Sequence, residues 1–196
     1  VGHSAGVFDV EKLAWVNRHY LKLGTPERLA QLCTPYLKTE GWVRDPTGPD
    51  LDFLAAVVPL AAASVDRLDQ VPARLRFLFD YSAERALGDS SVRAEADAAR
   101  PVIAALADVT REGAALTDRD AFRTAVAKVR ERTGQKGKSL LHPIRLALTG
   151  ESEGLELDLA VPAIERGAAL DASGLPPILS AAERATAFHR ALGESH

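Results

Sequence analysis

The sequence contains no methionine and one cysteine, and its aromatic residues amount to only 6% of the chain. A single cysteine, Cys33, can form no internal disulfide and no cysteine metal cluster, which fits a reducing compartment. It reads as a small buried hydrophobe on a helix. β-Branched residues never cluster, while alanine and leucine dominate, so local preference points to helix almost throughout. No apolar run approaches the roughly 18 residues that span a bilayer. No segment near the start pairs a charged stretch with an apolar one as a signal peptide does. The expectation is a soluble, cytoplasmic, all-α protein with no membrane partner. The lack of Met, with a start at Val1-Gly2-His3, fits a piece of a longer chain and equally fits loss of a single initiator Met.

Catalytic signatures are missing as well. Gly137-Lys138-Ser139 is the tail of a phosphate-loop pattern, but the glycine required five positions before Gly137 is Arg132, and no strand feeds the loop. The five histidines, His3, His19, His142, His189 and His196, share no metal-ligand spacing, and no two stand at i, i+4. No Gly-x-Ser-x-Gly elbow occurs. Paired carboxylates such as Glu151 and Glu153 read as a solvated loop. The residues argue against chemistry within this chain, against a metal or bound cofactor, and for a binding or positioning module.

The 196 residues, 46% hydrophobic and 26% charged, have ordinary globular composition and suffice for one domain or two small ones. Asp9 is placed to cap a first helix carrying Val10, Leu13, Val16 or Asn17, and Tyr20, ending near Gly24. Thr25-Pro26-Glu27 starts a second, with Leu29, Leu32, Cys33, Tyr36 and Leu37 as its buried face. Gly41 to Pro49 reads as a loop. A third helix from Asp50 is expected to bend or break at Pro59. A short one restarts at Val71-Pro72 with Leu75, Phe77, Leu78 and Phe79. Gly88 to Ser91 is the candidate boundary between subdomains 1–88 and 89–196.

Beyond that boundary one long helix is predicted from about Ser91 to Glu112, presenting Val102, Ile103 and Leu106. Thr117 is expected to cap the next, with Phe122, Val126 and Val129 inward and Thr133-Gly134 as its stop. Lys136 to Gly150 follows as a basic approach, a short apolar helix broken by Pro143, and a glycine stop. Leu155, Leu157, Leu159 and Val161 alternate as in a strand, but a lone strand lacks a partner, so 154–166 is read as helix. Gly174 to Pro177 is a loop, and Ser180 with Glu183 forms a capping box for a last helix holding Phe188 and Leu192.

The net charge of −3 gives no overall attraction to nucleic acid, yet charge is uneven. From Arg119 to Arg145 eight basic residues face two acids, a local +6, which is either a phosphate-facing patch or a solvated helix face.

Three stretches resemble bacterial glutamyl-tRNA synthetases. In 7–20, VFDVEKLAWVNRHY, the residues Phe8, Asp9, Lys12, Leu13, Trp15, Asn17 and Tyr20 match that family's Phe-Asp-x-x-Lys-Leu-x-Trp-x-Asn-x-x-Tyr. Pro72, Arg76, Leu78 and Phe79 match Pro-x-x-x-Arg-x-Leu-Phe. Gly137, Pro143, Arg145, Ala147, Thr149 and Gly150 fit the segment built around Pro-Leu-Arg-x-Ala-Leu-Thr-Gly. The class I lysyl-tRNA synthetases have a similar helical cage, and the Trp15-Asn17-Tyr20 match favours the glutamyl family. A free-standing helical interaction or ligand-sensing module is the alternative of a different kind.

The resemblance implies two helical subdomains that grip the anticodon arm of glutamate tRNA, with no role for DNA, inside a monomeric ligase. That ligase's ATP, Mg and glutamate sites lie in a Rossmann-type domain not in this chain. Carried over by position, Arg145 would face the anticodon bases, with Thr149, Gly150, Gly154 and Leu155 in the turn against them and Lys136, Lys138 and Arg132 on the phosphates. Arg145 as a helix-capping or ion-paired residue is the other reading. Trp15 and Tyr20 are read as core. Where discriminating members of the family carry an arginine for the third anticodon base, this chain has Ser64. The resemblance therefore leaves two options: Arg67 substitutes, or glutamine tRNA is accepted too. The stretch 168–180 is longer than the resemblance leads one to expect.

Overall fold

The computed structural model describes residues 19, 21, 23–171 and 174–194. Apart from His19, Leu21 and Leu23, which are helical, the helix expected from Asp9 to near Gly24, with Trp15 and Tyr20 and nearly all of the 7–20 motif, lies outside the described residues, as do His3 and His196. Among the described residues there are ten α-helices, one 3-10 turn and no strand. Of the alternating Leu155 to Val161, the part from Leu157 on is helical, and the helix read over 154–166 runs Leu157–Ala168; Leu155 lies in the turn before it.

Helix α1 (Pro26–Thr39) begins as its sequence dictates: the Thr25 hydroxyl accepts the Arg28 amide at 3.3 Å, and Pro26 occupies the first turn, where an N–H has no helical partner. Leu29, Cys33 and Leu37 are buried, and burial pushes the Cys33 thiol up to about 12, so it stays uncharged and unreactive. Leu32 and Tyr36, expected on the same face, are both about 40% exposed, because α1 buries a narrow stripe against α2 (Gly48–Ala62). Helix α2 starts two residues before Asp50, which closes a capping box with Thr47. It runs on through Pro59 without interruption to Ala62. A 3-10 turn (Leu68–Gln70) leads into α3 (Val71–Phe79), whose Leu75, Phe77, Leu78 and Phe79 are all buried as expected.

Helix α4 (Ala83–Leu87) precedes the region read as one long helix, which is two: α5 (Ser90–Ala98) and α6 (Arg100–Glu112), parted at Ala99. Pro101 explains the break, since it offers no N–H to the carbonyl of Asp97 and its ring crowds that carbonyl. Val102, Ile103 and Leu106 are buried. Helix α7 (Arg119–Thr133) is capped by Asp118, one residue after Thr117, whose carboxylate accepts the Ala121 amide at 2.8 Å. Val126 is half-buried beside the buried Phe122 and Val129. Helix α8 (Lys138–Thr149) passes unbroken through Pro143; the carbonyl deprived of its partner belongs to Ser139, which is exposed, so solvent can replace the lost donor. Helices α9 (Leu157–Ala168) and α10 (Ala181–Glu194) complete the chain, the latter behind the Ser180–Glu183 capping box.

Two apolar clusters form the core. One gathers α1, α2 and α3, and the other gathers α4 to α8 with α10. Helix α9 serves both, with Ala160, Ala163 and Ile164 in the first and Leu157 and Val161 in the second. Gly167 lets it approach closely: a Cβ there would lie 2.6 Å from Ile178 and 3.0 Å from Phe53. Gly167→Ala, favourable for an exposed helix, is therefore expected to destabilise by about 1–3 kcal/mol through overpacking, read as a lower urea midpoint.

The seam between the clusters holds Arg184, the largest fully buried side chain. Its guanidinium donates to the carbonyls of Phe77 (2.6 Å), Leu78 (3.2 Å), Leu148 (3.0 Å) and Leu179 (2.8 Å) and lies 4.6 Å from the centre of the Tyr81 ring. The Tyr81 hydroxyl donates to Ala147 at 2.7 Å. The C-terminal carbonyls of α3 and α8, which have no partner within their own helices, are thereby satisfied by side chains from elsewhere in the chain.

Candidate functional site

Helix α8 presents His142, Arg145 and Thr149 three and seven positions apart, hence on one face. All three bond the segment that follows. His142 Nε2 lies 3.0 Å from the Ser152 carbonyl, Arg145 Nη1 donates to the Leu155 carbonyl at 2.9 Å, and Thr149 Oγ1 accepts the Glu151 amide at 3.1 Å. The turn becomes possible because Gly150, with φ 71°, ends α8 in the left-handed conformation, and Gly154, with φ 151°, bends the chain back beside Arg145.

Arg145, Thr149, Gly150, Gly154 and Leu155, expected together from the sequence, are thus brought into one unit. Their exposure differs. Thr149 and Leu155 are buried, so the turn offers a ligand Ser152, Glu153 and the Gly154 backbone. Arg145 is half-buried with one end of its fork on Leu155; the rest of the guanidinium has no hydrogen-bond partner among the described residues.

That guanidinium borders a cleft of about 520 Å³. Phe122, Val126, Leu141 and Leu157 supply its apolar floor, with Leu141 43% exposed, and Arg123, Lys138 and His142 join Arg145 around it. Asp158 holds Arg119 and Arg123 at 3.6 Å each, and Glu156 closes one side. The arrangement of apolar floor, cationic rim and backbone-lined edge suits a flat, polar-edged ring joined to an anionic chain. Lys136, Lys138 and Arg132 are exposed nearby, Arg132 pairing with Glu112 at 3.0 Å.

Ser64 and Arg67 are elsewhere. Ser64 lies just past the end of α2 with its hydroxyl on the Ala61 carbonyl at 3.0 Å, and Arg67 is exposed, its fork on Asp69 at 2.8 and 2.9 Å. With α2 ending at Ala62 and the 3-10 turn starting at Leu68, the two do not share a helix, and no helical turn places Arg67 over Ser64. No hydrogen bond or ion pair among the described residues joins either to the α8 turn.

Two features were not read from the sequence. His142 was considered only as a metal ligand, whereas its Nδ1 lies 2.5 Å from Glu95 Oε1 on α5 and its other nitrogen on the turn; its spacing to Arg145 and Thr149 was the available signal. Glu151 sits among Arg76, Arg145, Arg74 and Arg85, contributed by α3, α4 and α8. Burial raises its carboxyl above the ordinary value even though these four guanidinium groups pull the other way. No helix among the described residues is long and apolar enough to cross a membrane, and none of their His, Cys, Asp and Glu side chains gather in groups of three or more that could hold a metal ion.

Residues 28–171 match the family model for an anticodon binding domain. The chain is 30% identical over 172 residues to a glutamate–tRNA ligase of Natranaerobius thermophilus, covering 87% of this chain and 35% of that protein. It is 34% identical over 164 residues to one of Alkaliphilus metalliredigens, covering 82% and 33%. Among solved structures, glutamate–tRNA synthetase from Elizabethkingia anophelis superposes with a TM-score of 0.63 at 17% identity, over 97% of this chain and 33% of that one. The glutamate tRNA ligase from Elizabethkingia meningosepticum does so at 0.61 and 16%, over 99% and 34%. The chain therefore spans about a third of the length of the relatives it matches.

Proposed function

The chain belongs to the anticodon binding domain family, and from that premise we propose that it holds the anticodon arm of a tRNA for a glutamate–tRNA ligase. Glutamylation itself, with its ATP and Mg, falls to a cytoplasmic parent enzyme's catalytic domain outside these 196 residues. The observation that carries the reading is Arg145: tied to the Leu155 carbonyl by one nitrogen, it keeps the rest of its planar fork at the edge of an apolar-floored cleft. That is the chemistry by which an unstacked base is held, by a guanidinium plane and backbone groups over an apolar surface. Ser152 to Gly154 would supply the backbone groups, and Lys136, Lys138 and Arg132 would contact phosphates.

The bound tRNA is that for glutamate. With Ser64 where an arginine would discriminate, and Arg67 held by Asp69, we take acceptance of glutamine tRNA as the reading of that departure. A class I lysyl-type module or a protein-interaction module is disfavoured by the family match and by the relatives, which are glutamate–tRNA ligases.

The test is binding of this chain to glutamate tRNA, glutamine tRNA and an unrelated tRNA over a salt series. Preference for the first two is expected. If Arg132, Lys136 and Lys138 each displace a counterion, log affinity falls against log salt with a slope of about −2. Equal, salt-insensitive binding to all three would overturn the reading.

A further inference from the structure

We propose that His142 is a proton-dependent positioning residue: it holds the middle of the 150–156 turn while both its ring nitrogens carry protons, so that the turn becomes more ordered, and RNA binding tighter, as pH falls. The RNA half of this inference rests on the function proposed above; the structural half does not.

Two acceptors meet the ring. Nε2 faces the Ser152 carbonyl at 3.0 Å, and a carbonyl can only accept, so Nε2 carries a proton. Nδ1 faces the Glu95 carboxylate at 2.5 Å, and a carboxylate also only accepts. The imidazolium alone has two donors. Removal of the Nδ1 proton sets a lone pair against a carboxylate; removal of the Nε2 proton sets one against a carbonyl. Either way one of the two ties becomes a repulsion. The proton count is the same if Glu95 is regarded as carrying the shared proton.

The consequence falls on the turn, because its ties are few. Thr149 fixes its start at Glu151 and Arg145 its end at Leu155. Between them, among the described residues, the tie from His142 to Ser152 is the one that side chains make. The charges around the ring are Glu95 on α5, Lys138 and Arg145 on α8, Arg123 on α7, and Glu156 and Asp158 across the cleft. Glu151 and Glu153 flank Ser152 in the turn. A protonated His142 is thus a cation beside an acidic loop that would have to approach RNA.

The first measurement is amide hydrogen exchange at 151–155 in this chain alone, from about pH 5 to about pH 9, corrected for intrinsic exchange. Protection is expected to fall on the order of tenfold with rising pH, the worth of one charge-assisted hydrogen bond. In His142→Gln, which can still donate to Ser152 but does not titrate, the profile should be flat. Glu95→Gln should flatten it too, since an amide can accept from the charged ring or donate to the neutral one. A flat wild-type profile, or an unchanged profile in His142→Gln, would overturn the positioning role.

The second measurement is affinity for glutamate tRNA over the same range. Acidification strengthens RNA binding generally, so the difference between wild type and His142→Gln is what counts. Parallel pH profiles would overturn the RNA half. No tRNA binding at any pH, with the turn titrating as described, would instead overturn the functional reading and leave the positioning role in place.

Discussion

Arg184→Met is expected to destabilise the protein by about 4 kcal/mol or more. Methionine nearly matches the volume and flexibility of the arginine stem, so lost packing is a minor part. The major part is the four carbonyls of Phe77, Leu78, Leu148 and Leu179, which lose their donor inside the protein. Three of these bonds are buried and that to Leu179 is partly so; each buried, unpaired polar group costs about 1–3 kcal/mol, and partial relaxation keeps the sum below three times that.

Replacing a buried charge by an apolar group is often harmless when its partner is replaced too. Here the partners are backbone carbonyls, which no side-chain substitution removes. The negative ends of α3 and α8 point at the guanidinium and compensate its desolvation. Burial pushes its pKa down to about 10, well above neutral, so the group remains charged at physiological pH. Thermal unfolding followed by circular dichroism should show a Tm lower by roughly 10 °C, at about 2–4 °C per kcal/mol for a domain of this size. Arg184→Lys should recover little, because one ammonium cannot span four divergent acceptors. A Tm within about 2 °C of wild type for Arg184→Met would show that solvent or rearrangement satisfies these carbonyls without Arg184.

Arg145→Ala is expected to weaken binding of glutamate tRNA by about 10- to 100-fold while leaving the far-ultraviolet spectrum unchanged. A charge-assisted hydrogen bond and base stacking on a guanidinium are each worth about 1–3 kcal/mol. The salt slope should stay close to that of wild type, because Arg145 reads bases and Arg132, Lys136 and Lys138 the phosphates, while the preference among tRNAs collapses. Arg145→Lys should behave nearly as alanine does in discrimination and nearly as wild type in salt slope. A lysine keeps the charge but cannot hold the Leu155 carbonyl and present a planar fork together. Affinity within about twofold of wild type for Arg145→Ala would remove Arg145 from the site and return it to the role of a turn-fixing residue.

How far the sequence could be read depended on how local the cause was. Thr25-Pro26, Thr133-Gly134 and Ser180 with Glu183 placed helix ends correctly, since capping involves neighbours within four positions. Proline was less reliable. Pro101 splits α5 from α6, whereas Pro59 and Pro143 lie inside continuous helices. A proline's cost depends on whether the carbonyl it orphans can find another partner, which the surroundings decide. Leu32 and Tyr36 failed for a related reason: periodicity marks an apolar face, and only the width of the neighbouring helix decides how much of it is covered.

By itself the sequence determined the all-α class, most helix starts and stops, the basic stretch from Arg119 to Arg145, and, through the Pro143-x-Arg145 to Gly150 pattern, the segment and family to examine. Tertiary structure alone decided that Arg184 would join the end of α3, 107 positions before it at Phe77, to the end of α8, 36 positions before it at Leu148, since a buried guanidinium finds acceptors by proximity and not by spacing. It also decided that His142, silent as a metal ligand, would face Glu95 from a helix 47 positions away. Short-range hydrogen bonds fix local form and are written in neighbouring residues; the pairing of distant charges follows from packing, which only the folded chain supplies.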